Sequence, residues 1–384
     1  MSFPLDKFKE LRTPFYYYDT DLLEQTLQAI KAAMLPGSHL HYAVKACANP
    51  AVLQLIAKSG AGCDCVSGGE IKACLRAGFK ADSIVFAGVG KSDWEIELAL
   101  QEGIFCFNVE SKPELEVIDQ LAAAKGRTAR VALRINPNVG AHTHANITTG
   151  LAENKFGIDM QDMEDVIALA KRLKNVELIG LHFHIGSQIL EMDDFEALSK
   201  RINELQERLD GIGVSLKHIN VGGGLGIDYT DPDKHPIPEF STYFNTFYKH
   251  LSLRAGQQLH FELGRSVVGQ CGSLITKVLY VKENAIKKFC IVDAGMTDLI
   301  RPALYDAYHR IDNLTSDEAE ETYDIVGPIC ESSDVFVKGY KMPKARRGDL
   351  LALRSAGAYG EIMASQYNCR PLPSGYTKKD LLDD

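Results

Sequence analysis

From Leu40 onward the chain repeats one pattern: a short apolar run, then a longer stretch whose apolar positions recur every three or four residues. Such runs read as strands and such stretches as amphipathic helices, and their alternation predicts successive βα units around a parallel sheet. Strands are expected at 41–45, 62–66, 84–87, 105–109, 131–136, 179–184, 218–221 and 260–262. Eight units over roughly 230 residues suit a closed (β/α)8 barrel of the TIM type, with an open doubly wound sheet as the alternative. After Arg265 the helical spacing stops, and strands follow one another at 273–281, 289–293, 321–329, 334–337 and 350–354. This is a second, β-rich domain, which the early strand 15–18 is free to join. The expected division is 25–265 for the barrel and 1–24 plus 266–384 for the β-rich domain. The tail 377–384 is charged and is expected to fray.

Composition adds limits. The chain has 384 residues, 45% of them hydrophobic, enough for one large domain or two ordinary ones. No apolar run is long enough to cross a bilayer, and the first residues lack the basic start and apolar core of a signal peptide, so a cytoplasmic location is expected. A net charge of -9 argues against a nucleic-acid partner. Nine cysteines include no C-x-x-C pair. Cys63 and Cys65, alternating on a strand, are expected to face opposite ways; ligands clustered at metal spacing are not evident, and no metal is assigned.

In a barrel of this kind chemistry sits at the C-terminal ends of the strands, and polar residues gather there. They are Lys45, Asp64, Asn108, Arg134, Asn136, His182, His184, Asn220 and Glu262. Lys45 is either a solvated strand end or an amine held as a nucleophile. The run Gly222-Gly223-Gly224-Leu225-Gly226 is either a tight turn or a phosphate cradle. His182 and His184 share a strand face, which suits a metal or a ring stacked on a flat cofactor, with Ser187 as a hydroxyl donor to phosphate. Glu262 and Arg265 form a surface ion pair, or act separately on a ring nitrogen and an anion. A reactive lysine, an anion cradle, a flat platform and a carboxylate together describe pyridoxal phosphate. The segment 138–157 is long for a βα connection and reads as a lid, with His142 and His144 as solvated bystanders or contributors.

These motifs carry a resemblance. His41-Tyr42-Ala43-Val44-Lys45-Ala46, Cys63-Asp64-Cys65-Val66-Ser67-Gly68-Gly69-Glu70, His182 through Gln188, the glycine run, Ile300-Arg301-Pro302-Ala303-Leu304-Tyr305, Gly327-Pro328-Ile329-Cys330-Glu331-Ser332 and Gly357-Ala358-Tyr359-Gly360 resemble the fold-type III pyridoxal-phosphate decarboxylases, and among them the branch acting on diaminopimelate. The resemblance implies that Lys45 carries the cofactor covalently, His184 stacks on its ring and Glu262 bonds its nitrogen. Asp64 and Glu70 support the lysine and the ring face. Ser187, Gly224, Gly264, Arg265 and Tyr359 surround the phosphate. It further implies Cys330 as the proton donor to Cα, and Arg265, Arg301, Tyr305, Glu331 and Tyr359 as substrate contacts. The implied reaction is decarboxylation of meso-2,6-diaminopimelate to L-lysine in a homodimer with shared sites. The alternatives are a decarboxylase of another basic amino acid or of carboxynorspermidine, a racemase, and a non-catalytic cofactor-binding paralogue. Leu263 stands where the family usually has proline.

Overall fold

The computed structural model describes residues 3–140 and 155–382. It divides into two units: Leu27–Gly226 with Glu239–Gly264, and Met1–Thr26 with Ile227–Pro238 and Arg265–Asp384. Strand β1 (Phe15–Tyr18) comes first in the chain. The following strands are β2 (Ser38–Ala43), β3 (Gly62–Cys65), β4 (Ile84–Phe86), β5 (Cys106–Val109), β6 (Ala129–Asn136), β7 (Ile158–Asp159), β8 (Val176–His182), β9 (His218–Asn220) and β10 (Gln258–Leu263). All eight expected barrel strands are present, and β7 is a two-residue addition beside β6. The order β2-β3-β4-β5-β6-β8-β9-β10 is parallel throughout, and pairing of β10 with β2 and of β5 with β6 closes the ring. Closure excludes the open-sheet alternative.

The helix ends follow local chemistry. Helix Pro50–Lys58 opens on Asn49, whose side chain accepts from the Ala51 N–H, with proline at its first position. Helix Gly68–Ala77 opens on Ser67, which accepts from Glu70 N–H, and stops at Gly78 in a left-handed conformation.

Barrels usually fill their centre with branched aliphatic residues. Here one layer is a chain of histidines. His41 Nε2 lies 2.9 Å from His260 Nδ1, and His260 Nε2 lies 2.9 Å from His218 Nδ1. His41 Nδ1 ends the chain 3.2 Å from the carbonyl of Ser83, so it carries a hydrogen there. Burial holds His41 and His218 down to about 4 and His260 lower still. The layer is therefore neutral at ordinary pH.

One expectation about β3 is overturned. Cys63 and Cys65 face the same way, their sulfurs 3.8 Å apart, because residues two apart on a strand share a face. Helix Gly68–Ala77 adds Cys74 to them, 3.7 Å from Cys65. Sequence spacing had shown no such cluster, because the third sulfur arrives from a different element.

The second unit continues with β11 (Gly272–Glu283), β12 (Lys288–Val292), β13 (Ile311–Asn313), β14 (Glu320–Val326), β15 (Val335–Pro343), β16 (Leu350–Leu353) and β17 (Ser374–Thr377). Its sheet runs β13-β16-β11-β12-β14-β15, with β1 antiparallel to β11 and β17 parallel to β1. Residues 377–382 of the tail expected to fray are instead ordered: β17 pairs along β1, and helix Lys378–Leu382 follows with Asp380 accepting from the N–H and hydroxyl of Thr377. Leu381 packs with Phe8, Phe15, Tyr17 and Ile275, which offsets the charge of its neighbours. Among the described residues no helix is long and apolar enough to cross a membrane. The core of the segment expected as a lid, 141–154 with His142 and His144, lies outside the described residues.

Candidate active site

The mouth of the barrel is built around Glu262, buried at the end of β10. Asn108 of β5 and Asn220 of β9 donate to its Oε1 at 3.0 and 2.6 Å, and His182 Nε2 lies 2.8 Å from its Oε2. Burial works to raise its pKa, but His182 first, then His41 and His184, hold it below the usual carboxylate range. A carboxylate with that many donors stays ionised. Asn220 also accepts from Gly222 N–H at 2.9 Å, so the same side chain positions Glu262 and the glycine turn.

The glycine run has a packing reason. A Cβ at Gly222 would lie 2.3 Å from the Phe183 carbonyl oxygen, and one at Gly223 1.9 Å from that of Glu262. Gly222 and Gly224 also take positive φ angles of 73° and 112°. Gly223 N–H donates to His184 Nδ1 at 3.3 Å, which fixes the ring as an acceptor on that side. Burial, then Lys45 and Arg134, push His184 well below its ordinary pKa, so it presents a neutral ring. His184 lies two residues past the end of β8 rather than within the strand, because the β8–β9 ladder ends with His182 opposite Asn220.

Lys45 is likewise past its strand. β2 ends at Ala43, and Val44–Ala46 forms a single 3-10 turn that carries the lysine. Gly264 presses on that turn: a Cβ there would meet the Cβ atoms of Ala43 and Ala46 at 3.1 Å each. Asp64, Glu70 and His184 all feel the Lys45 charge. Burial raises Asp64 well above its usual range, partly countered by Lys45, and raises Glu70 to about 7 against the Val66 N–H bond and Lys45. Arg134, one of the polar strand ends, is engaged elsewhere, in an ion pair with Glu110 at 2.7 Å. Ser187 is half-buried on the segment after β8. Leu263 is buried opposite Tyr42 in the β10–β2 ladder.

In the other unit a cationic cluster forms. Arg265 donates from Nη1 to the Tyr229 hydroxyl at 2.6 Å and lies 4.9 Å over the Tyr359 ring. Arg301 lies 5.0 Å over Tyr229 and donates to His309 Nε2 at 2.9 Å. His309 Nδ1 donates to the Arg354 carbonyl at 2.8 Å, which makes Nε2 the acceptor. Burial and then Arg301 hold His309 down to about 3, so it adds no third charge. Arg301 is buried, and its own pKa is lowered by burial and by Arg265. Two adjacent buried guanidiniums beside neutral rings favour an anion. Tyr305 is half-buried in the short helix Arg301–Tyr305. Tyr359 has φ 57°, a strained conformation for a bulky residue and one that collects at working sites.

Cys330 is exposed. Its loop is clamped by buried Asp334, which accepts from the N–H groups of Ile329 at 2.7 Å and Met296 at 2.6 Å. Cys330 N–H donates to Asn368 Oδ1 at 3.1 Å, and Tyr367 donates to Glu331 at 2.7 Å. Sequence reasoning missed Asn368, Tyr367, Tyr229 and His309. Asn368 alone left a signal, as asparagine tolerates the φ of 55° found there.

Pyridoxal phosphate fits these residues. Asp64 Oδ1 and His182 Nδ1 are buried without a hydrogen-bond partner, a cost of about 1–3 kcal/mol each that an uncharged, filled core would not carry. They stand in the group that holds an ionised Glu262, a neutral ring and a primary amine.

A closed barrel with a lysine past its first strand, a fixed carboxylate and a glycine turn, in a chain that adds a β-rich unit, defines a pyridoxal-dependent decarboxylase of the barrel type. Residues 20–269 match the family described as pyridoxal-dependent decarboxylase, pyridoxal binding domain. The diaminopimelate decarboxylase of Bacteroides thetaiotaomicron is 67% identical over 99% of both chains. The crystal structure of diaminopimelate decarboxylase from Helicobacter pylori complexed with L-lysine superposes with a TM-score of 0.92 at 42% identity, covering 98% of this chain and 94% of that one. The Paramecium bursaria Chlorella virus arginine decarboxylase, at 22% identity and TM-score 0.86 over 97% of this chain and 98% of that one, shares the fold. The chain belongs to the pyridoxal-dependent decarboxylases and, within them, to the diaminopimelate decarboxylase family.

Proposed function

We propose that this enzyme decarboxylates meso-2,6-diaminopimelate to L-lysine. The observation that carries the reading is the pair of buried guanidiniums, Arg265 and Arg301, set among neutral rings. A substrate with a carboxylate at its far end uses them; ornithine or arginine, with only a cation there, is repelled. The full-length identity to a diaminopimelate decarboxylase supports the same choice.

Pyridoxal phosphate, when bound, supplies an electron sink for the pair left at Cα as the carboxylate departs. Lys45 holds the cofactor, and Asp64 and Glu70 orient that lysine. Glu262 would keep the ring nitrogen protonated, and His184 would offer its neutral ring to the cofactor's. Ser187, Gly224, Gly264, Arg265 and Tyr359 bind the phosphate. Arg301, Arg265, Tyr305 and Tyr359 take the distal carboxylate and Glu331 the distal ammonium. Cys330 delivers the proton to Cα as a general acid. Exposed Cys330 and Glu331 favour a homodimer in which each chain lends this loop to its partner's site, working in the cytoplasm.

The test is carbon dioxide release from diaminopimelate, ornithine, arginine and carboxynorspermidine side by side. Diaminopimelate is expected to be strongly preferred; its failure to react overturns the reading. Borohydride trapping followed by peptide mapping is expected to label Lys45.

A further inference from the structure

The outer face of β3 holds a group that neither cofactor nor substrate uses. Asp64 points into the barrel, so Cys63 and Cys65 on either side of it project outward, where they meet Cys74. The three sulfurs lie within 4.8 Å of one another, and all three residues are buried, reduced thiols.

Close-packed thiols reach similar separations, so the convergence of three sulfurs on one point matters more than any single distance. A d10 cation bound to thiolates at about 2.3 Å, with angles between tetrahedral and trigonal, sets its sulfurs about 3.8–4.0 Å apart. Two of the three separations, 3.8 and 3.7 Å, already match, and the third lies within 4.8 Å. Sulfur alone, with no carboxylate or imidazole in the set, selects a soft ion. Charge is favourable as well: hydrogen bonds from Cys63 and Cys65 bring Cys74 down to about 5, while burial pushes the two strand thiols up. Cys74 is therefore the thiol of the three that gives up its proton most readily. Binding displaces the thiol protons, and three thiolates around a divalent cation leave a residual charge of only -1.

We propose that Cys63, Cys65 and Cys74 form a three-sulfur site for a thiophilic d10 cation of the zinc(II) or copper(I) class, which ties β3 to helix Gly68–Ala77. The two ligands on β3 flank Asp64, and Glu70 lies in the first turn of the helix that carries the third. A bound cation braces both acids that face Lys45.

The reduced holoenzyme, first freed of metal with a chelator, is titrated without oxygen with zinc(II) and, separately, copper(I), each against a competing chromophoric chelator. One equivalent per chain is expected to bind in a tight class, releasing thiol protons and showing a sulfur shell at about 2.3 Å by X-ray absorption. Cys74→Ser and Cys63→Val are expected to weaken that class about 100-fold or more, whereas Cys369→Ser, which removes an exposed thiol, retains it. The ion that binds with the three-sulfur shell identifies the class member. Melting temperature and cofactor content show whether each variant is folded. Where a variant is not, the absorption spectrum of the wild-type protein decides. No tight equivalent, a shell without three sulfurs, or unchanged affinity in folded Cys74→Ser overturns the proposal.

Discussion

Glu262 shows how far single residues can be read. Its place at a strand end, and its match to a motif, were visible in the sequence, as was Lys45. Its donors were not: Asn108 is 154 positions away, and no spacing rule joins them. Glu262→Gln can keep its amide oxygen towards Asn108 and Asn220 only by turning its NH2 to His182, and it removes the charge. Carbon dioxide release is expected to fall by about 100-fold or more while Lys45 still traps cofactor with borohydride. A rate within a few-fold of wild type would show that the carboxylate is not needed. Gly264 acts by contact alone. A methyl group there presses on Ala43 and Ala46, and overpacking of this kind costs about 1–3 kcal/mol. Gly264→Ala is expected to lose bound cofactor before it loses fold, measured as the cofactor-to-protein absorbance ratio beside the circular-dichroism melt. Full cofactor content would show that the turn moves freely.

At the level of elements the period of the pattern was decisive. The eight barrel strands were legible because each is an apolar run followed by helical spacing. β13 and β17 were not, since three or four mostly polar residues carry no period, and β17 is made a strand by its partner β1. The end of β2 was misjudged by two residues because the 3-10 turn carrying Lys45 continues the apolar run. The histidine layer crosses several strands and has a consequence for stability. His41 and His260 have folded pKa values below 6.5, so on acidification the unfolded chain takes up protons first. Their contribution is complete above about pH 6.5 and is lost as pH falls towards the folded values, at about 1.4 kcal/mol per pH unit for each proton. Urea midpoints between pH 7 and 5 are expected to fall with that slope, and His260→Gln is expected to flatten it. Equal slopes would mean the histidines titrate alike in both states.

For the whole molecule the proposed exchange of loops gives a count. If Cys330 serves the partner's site, mixing inactive Lys45→Ala with inactive Cys330→Ala places both defects in one of the two sites of each mixed dimer. Half of the dimers are then mixed, and about a quarter of wild-type activity is expected to return. No recovery after subunit exchange, verified by mass, would confine each site to one chain. The pairing of β17 with β1 has a different consequence, one of timing. A ribosome makes residues 15–18 before any barrel strand and 374–377 long after the last one, and β11, the other neighbour of β1, appears only after the barrel strands are complete. The barrel sequence can close while synthesis continues, whereas β1 stays unpaired until β11 has emerged and keeps one open edge until β17 has. That unpaired Phe-Tyr-Tyr-Tyr segment is where a nascent-chain chaperone has the longest opportunity to bind.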